Sequence, residues 1–176
     1  NLRRADAVAL VQADLLNVAG LPEMVRSTVQ RFGRLDALVN NASSFFSTRL
    51  GEIDETHWND LIGTNLKAPL FLSQAAAPHL KKTQGCIINI ADIHAERPMK
   101  NYVVYSVAKA GLVGLTRSLA RELGPDVRAN AVAPGPVVWP ERDPNFDEVS
   151  RKRIVNHTLL KRSGEPMDVA LAVRFL

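Results

Sequence analysis

Tyr105 and Lys109 stand four residues apart in the segment NYVVYSVAKAG, and Asp92 lies thirteen residues before the tyrosine. On a helix, positions i and i+4 share a face, so the phenol and the ammonium become neighbours. A phenol beside an ammonium is a proton donor with a lowered pKa, suited to general acid catalysis. Asp92 would pull that pKa the other way, and titratable groups with opposed neighbours mark acid–base assignments. The three residues therefore read as a proton relay, with Asp92 as its unusual member.

Such a relay needs a scaffold that brings a helix face beside a strand end. Four apolar runs stand out, at residues 7–13 (AVALVQA), 35–39 (LDALV), 86–91 (CIINIA) and 127–133 (VRANAVA). Helical patterns separate them: Leu21–Phe32, a long stretch over 55–82, and 105–123. Strands alternating with helices of this length predict right-handed βαβ crossovers and a parallel sheet. The runs are nearly continuous in their apolar residues, as expected when helices cover both faces.

Helix boundaries agree. Gly33, Gly85 and Gly124-Pro125 follow the three helical patterns, and Asp54 is placed to cap the start of the second. Pro69 divides that long stretch into a short helix, Glu55–Ile62, and a longer one over 66–82. Residues 137–153 carry two prolines and many charges and read as a loop or lid; residues 167–176 read as a helix. The expected class is α/β, a Rossmann-like doubly wound parallel sheet in a three-layer αβα arrangement, with residues 1–176 as one partial domain.

Composition narrows the function classes. A hydrophobic content of 46% and a charged content of 23% are ordinary for a globular chain, and the apolar runs are too short to span a bilayer. Cys86 is the only cysteine, so an intramolecular disulfide is impossible and a reducing, cytoplasmic setting is expected. His57, His79, His94 and His157 lack ligand spacing, so no metal site is expected. The net charge of +4 is interspersed with acids apart from residues 151–153, and no aromatic-rich basic stripe points to nucleic acid.

In open α/β sheets, ligands bind beyond the carboxyl ends of the strands. The residues found there are Asp14, then Asn40-Asn41-Ala42-Ser43, then Asp92, then Pro134-Gly135-Pro136. Each alone fits a cap, a turn or a loop breaker. Their recurrence at one end of every strand favours a site.

These motifs, taken in order, resemble the short-chain dehydrogenase/reductase family. Asn40–Ser43 is similar to its Asn-Asn-Ala-Gly element, Asn65 in GTNLKAP to its helix asparagine, Tyr105-x-x-x-Lys109 to its catalytic pair, and Pro134-Gly135 to its Pro-Gly element. The departures are informative. Asp92 stands where most members carry serine, Ser43 replaces glycine, and Phe45 and Pro98 accompany them. That combination resembles the pteridine reductase subgroup, in which the aspartate is catalytic and the phenylalanine forms one side of a slot with the nicotinamide.

The resemblance implies reduction of dihydropterins, and of oxidised pterins or folate-type substrates, with NADPH. Asp92, Tyr105, Lys109 and Asn65 would be catalytic, Asn65 anchoring a water chain behind the lysine. Asp14 and Leu15 would border the adenine. Asn41, Ala42, Ser43, Ile90, Tyr105, Lys109, Pro134, Gly135 and Val137 would line the cofactor. Ser43, Phe45, Asp92, Tyr105 and Trp139 would face the substrate, with Phe146 beside Trp139. His94, two residues past Asp92, reads instead as a loop histidine facing water. A homodimer or tetramer through helices 66–82 and 105–123 is also implied.

The alternatives are a short-chain reductase of another carbonyl or C=N substrate, and a non-catalytic dinucleotide-binding scaffold on the same fold. The family's Gly-rich turn does not occur in the sequence, and the run 7–13 corresponds to its third strand. The expectation is therefore an internal fragment, lacking the first two strands and the last, and marginal in stability and cofactor affinity.

Overall fold

The computed structural model describes residues 7–140 and 143–176; Glu141 and Arg142, inside the segment expected to be a loop, lie outside the described residues. Three strands, β1 (Ala37–Asn40), β2 (Cys86–Ile90) and β3 (Arg128–Val132), form a parallel sheet in the order β1-β2-β3. The register pairs Asn40 with Asn89 and Asn89 with Ala131, which aligns the carboxyl ends of all three strands.

The run 7–13 does not form a strand. It is largely exposed, with Leu10 at 95%, and no described strand lies beside it. An apolar sequence adopts a strand only where a neighbour accepts its backbone hydrogen bonds, and among the described residues β1 pairs only with β2.

Helix α1 (Leu21–Phe32) begins with Pro22 in its first turn and ends at Gly33, whose φ of 76° is the left-handed conformation that glycine tolerates. Helix α2 (Glu55–Ile62) starts at Asp54, whose carboxylate accepts the His57 N–H at 2.8 Å while the His57 ring accepts the Asp54 N–H. Pro69 does not break the chain here. A π turn (Gly63–Lys67) leads directly into α3 (Ala68–Thr83), and the wider turn lets the chain continue through Pro69.

Gln84, not Gly85, adopts the left-handed cap after α3, with φ 51°. Gly85 is needed for a different reason: a Cβ there would overlap the Asp36 carbonyl oxygen as the chain enters β2. Helix α4 (Val103–Leu123) returns the chain to β3. Both crossovers move in one direction across the sheet, so right-handedness places α3 and α4 on the same face.

The core follows from helical period. Ala68, Leu72, Ala76 and Leu80 recur every four residues on α3 and meet Leu21 and Val25 of α1 and Ile87, Val127 and Ala129 beneath. Residues 137–153, expected to be irregular, include a short turn (Pro144–Phe146) and the start of α5 (Glu148–His157). Asp147 begins that helix by accepting the Ser150 N–H. A capping box at Glu165 and Asp168 opens α6 (Pro166–Phe175), which packs against β3.

Candidate active site

Helix α4 carries Tyr105 and Lys109 on its buried face, with Ala108 and Leu112 between and beyond them. Asp92 follows β2 in extended backbone, so the strand end and the helix face meet. The Tyr105 hydroxyl donates to Asp92 Oδ2 at 2.7 Å, and the second carboxylate oxygen accepts the His94 N–H at 2.8 Å. His94 thus contributes its backbone to the site, while its ring lies within hydrogen-bond distance of the Arg97 carbonyl. Lys109 Nζ donates to the Ile90 carbonyl at 2.9 Å and stands 5.6 Å from the centre of the Tyr105 ring.

The electrostatics differ from the expected opposition of charges. Burial, foremost, pushes the Tyr105 phenol well above its ordinary value. The Asp92 charge and hydrogen bond push the same way, and only a hydrogen bond with Ser43 pulls it down. The lowered phenol expected from Tyr-x-x-x-Lys is therefore corrected: Lys109 is turned to the Ile90 carbonyl and is not what sets Tyr105. Burial lowers Lys109 itself to about 8, against an upward pull from Asp92.

Ser43 and Asn65 are joined. Ser43 Oγ donates to Asn65 Oδ1 at 2.6 Å, and Asn65 Nδ2 donates to the Ser44 and Leu61 carbonyls at 2.9 Å each. The bond to Leu61 occupies the carbonyl that an α-helical backbone bond would use, which accounts for the π turn at this point. Asn65 therefore anchors the loop after β1 directly.

Phe45 from that loop lies against Tyr102, with centroids 4.9 Å apart and planes at 18°, and meets Tyr105 edge-on at 4.8 Å. Phe146 approaches Phe45 at 5.9 Å, Trp139 approaches Phe146 at the same distance, and the Arg151 guanidinium covers Trp139 at 5.7 Å. Residues 45, 105, 139 and 146, widely spaced in sequence, thus share one aromatic wall.

The remaining predicted positions divide between the turn after β3, which borders the Asp92 loop, and a separate cleft beside β1. The Pro134 carbonyl accepts the Ile93 N–H at 3.2 Å, and Gly135 lies next to the Ile93 side chain, so the turn after β3 borders the Asp92 loop. Val137 follows it and faces Gly164. Leu15, Asn41 and Ala42 line a cleft of about 200 Å³ with Thr64 and Leu72, apart from Tyr105 and Asp92. Asp14 is exposed and caps its own turn, accepting the Leu16 N–H at 2.9 Å.

Sequence reasoning passed over Tyr102, Thr48 and Asn89. Tyr102 precedes Tyr105 by three residues, a spacing that itself signals a shared helix face. Asn89 is a polar residue within an apolar strand; it accepts from Asn40 at 2.7 Å and donates to Thr116 at 2.9 Å, tying β1, β2 and α4 behind the site.

The donor set suits a nicotinamide dinucleotide. Lys109 is 3% exposed, and its ammonium has three N–H groups for the one carbonyl it meets here. A ribose diol would satisfy the others. Small residues at Ala42 and Gly135 leave the strand exits open to close approach by a flat ring.

The comparisons with known proteins agree with this geometry. A family sequence profile described as Enoyl-(Acyl carrier protein) reductase matches residues 2–176. The chain is 36% identical over 167 residues to D-xylose 1-dehydrogenase of Caulobacter vibrioides, covering 94% of this chain and 66% of that protein. It is also 36% identical to the 3-oxoacyl-[acyl-carrier-protein] reductase FabG of Staphylococcus aureus, covering 94% and 68%. A solved blue fluorescent protein from a metagenomic library, in complex with NADPH, superposes with a TM-score of 0.85 at 35% identity, covering 94% of this chain and 66% of that one. The chain belongs to the short-chain dehydrogenase/reductase family. It spans about two thirds of the length of these relatives.

Proposed function

We propose that the protein is an NADPH-dependent reductase of the pteridine reductase kind, reducing a ring C=N bond of a dihydropterin and also acting on oxidised pterins. The observation that carries this reading is the 2.7 Å hydrogen bond from the Tyr105 phenol to the Asp92 carboxylate, with Phe45 set edge-on against the same ring. A carbonyl oxygen takes its proton from the tyrosine phenol as hydride arrives at carbon, and a serine hydroxyl suffices to orient it. A ring nitrogen must gain a proton, which a carboxyl group joined to a phenol can relay.

When bound, the cofactor supplies hydride. Tyr105 holds a proton at Oη throughout the neutral range because burial and Asp92 keep its phenol protonated. Asp92 orients that hydroxyl and returns the proton to it from solvent. Lys109 holds the cofactor ribose. Ser43, fixed by Asn65, offers a second polar contact to a flat heterocycle, and Phe45 offers an aromatic surface worth about 0.5–1.5 kcal/mol beyond burial.

Steady-state reduction of dihydrobiopterin, compared with a panel of ketones and sugars, tests the reading. Asp92→Ser should depress pterin turnover by roughly 10²-fold or more while sparing ketone reduction. Unchanged pterin turnover in that variant refutes the acid role. The second reading, a dehydrogenase or reductase of a carbonyl compound, is favoured by the names of the relatives at 36% identity. It predicts turnover of a sugar or 3-oxoacyl substrate and none of pterin. Pairing through α3 and α4 into a homodimer is part of the same proposal, supported by the outward residues Leu70, Val103 and Val107 on those helices.

A further inference from the structure

Tyr102 is 1% exposed, yet the mechanism above gives it no task. Its hydroxyl donates to Asp143 Oδ2 and accepts from Asn145 Nδ2 at 3.1 Å. Asp143 in turn accepts the Asn145 N–H at 2.9 Å and so starts the turn that carries Phe146. The ring of Tyr102 is stacked on Phe45, and Phe146 packs on both. On its other side the Tyr102 backbone bridges to Thr48, and Thr48 Oγ1 accepts the Val104 N–H at 3.3 Å in the first turn of α4. Two segments distant in sequence, after β1 and after β3, therefore converge on this one side chain, three residues from Tyr105.

We propose that Tyr102 is a positioning residue of the substrate site: its phenol oxygen holds residues 143–146, and hence Phe146, against Phe45, so that the aromatic wall beside Tyr105 is preassembled. This rests on the reading of that wall as a substrate surface. A side chain serving only as core would need no oxygen here, because the ring already packs on Phe45 and Phe146. The oxygen instead meets a carboxylate and an amide of the loop, partners that are strong and directional.

Tyr102→Phe keeps the ring and removes the oxygen, so it separates the two roles. In the proposal, amide hydrogen exchange at residues 145–147 quickens by about tenfold or more, the factor expected for one hydrogen bond to a charged group. Exchange in β2 and α3 stays as in the parent. The KM for dihydropterin rises by a similar factor with kcat nearly unchanged, since a preassembled wall binds ground and transition states alike. Asp143→Ala, which also removes the acceptor of the Asn145 N–H, gives both effects at least as strongly, adding Tyr102→Phe to it changes nothing further, and Asp143→Asn, which keeps an acceptor for the phenol, restores most of the parent behaviour.

Unchanged exchange at residues 145–147 overturns the proposal. So does faster exchange spread through β2 and α3, which marks a merely structural role, and so do additive effects of the two single variants. If the parent protein reduces no pterin, the pterin reading falls alone, and the exchange measurements still decide the role of Tyr102.

Discussion

Lys109 is a buried cation with a single carbonyl and a nearby carboxylate for company, and the fold bears the cost. Its folded value of about 8 lies below the free value of 10.5. Between those pH values the unfolded chain binds the proton more strongly. Lysine 109 thus costs stability below pH 8, and the cost fades as pH rises from 8 toward 10.5. The upper bound is about 3 kcal/mol. Lys109→Met should raise the midpoint of urea unfolding at pH 7 and lose most of that advantage by pH 9.5, before Tyr105 ionisation intervenes, while abolishing turnover. A midpoint that falls at pH 7 would show that the ammonium is a net stabiliser. Turnover in the parent should decline above pH 8 as the ammonium loses its proton.

At the scale of elements, two features hold the site in place. The α3 stripe of Ala68, Leu72, Ala76 and Leu80 seats the helix, and Leu80 is fully buried. Leu80→Ala should lower unfolding free energy by about 2–5 kcal/mol in a denaturant titration, the range for a cavity in a core that cannot collapse. The π turn ahead of α3 depends on Asn65, whose loss leaves the Leu61 and Ser44 carbonyls without that partner. Asn65→Ala should cost about 1–3 kcal/mol and free Ser43, so that turnover falls more than stability alone explains. Unchanged turnover would show that Ser43 is held in place without Asn65.

At the scale of the whole molecule, α4 presents Val103, Val107 and Gly114 at helical spacing; Val107 is 48% exposed, and a Cβ at Gly114 would meet nothing within 4 Å. Helix α3 adds Leu70. Sedimentation velocity should report a dimer or higher oligomer, and Val107→Glu should shift the protein to monomer. A parent that sediments as a monomer at tens of micromolar would refute pairing through this face. No described helix is long and apolar enough to cross a membrane.

The amino-acid sequence by itself determined what local periodicity and backbone chemistry control. Helix α1 and helix α2 fall where spacing and the Asp54 cap put them, and three of four apolar runs became strands, because those patterns act through neighbours a few residues away. Tyr105, Lys109 and Asp92 were legible for the same reason: residue types at helix spacing and at a strand end name a chemistry. Only the tertiary structure decided the rest. Residues 7–13 have strand composition and no strand beside them, which no local pattern reveals. The phenol of Tyr105 is raised rather than lowered because burial, a property of the assembled fold, acts together with Asp92, while the lysine four residues away is turned to the Ile90 carbonyl. Tyr102 gained its place from Phe45, Asp143 and Asn145, up to 57 residues distant in the chain, contacts that packing creates and spacing cannot encode.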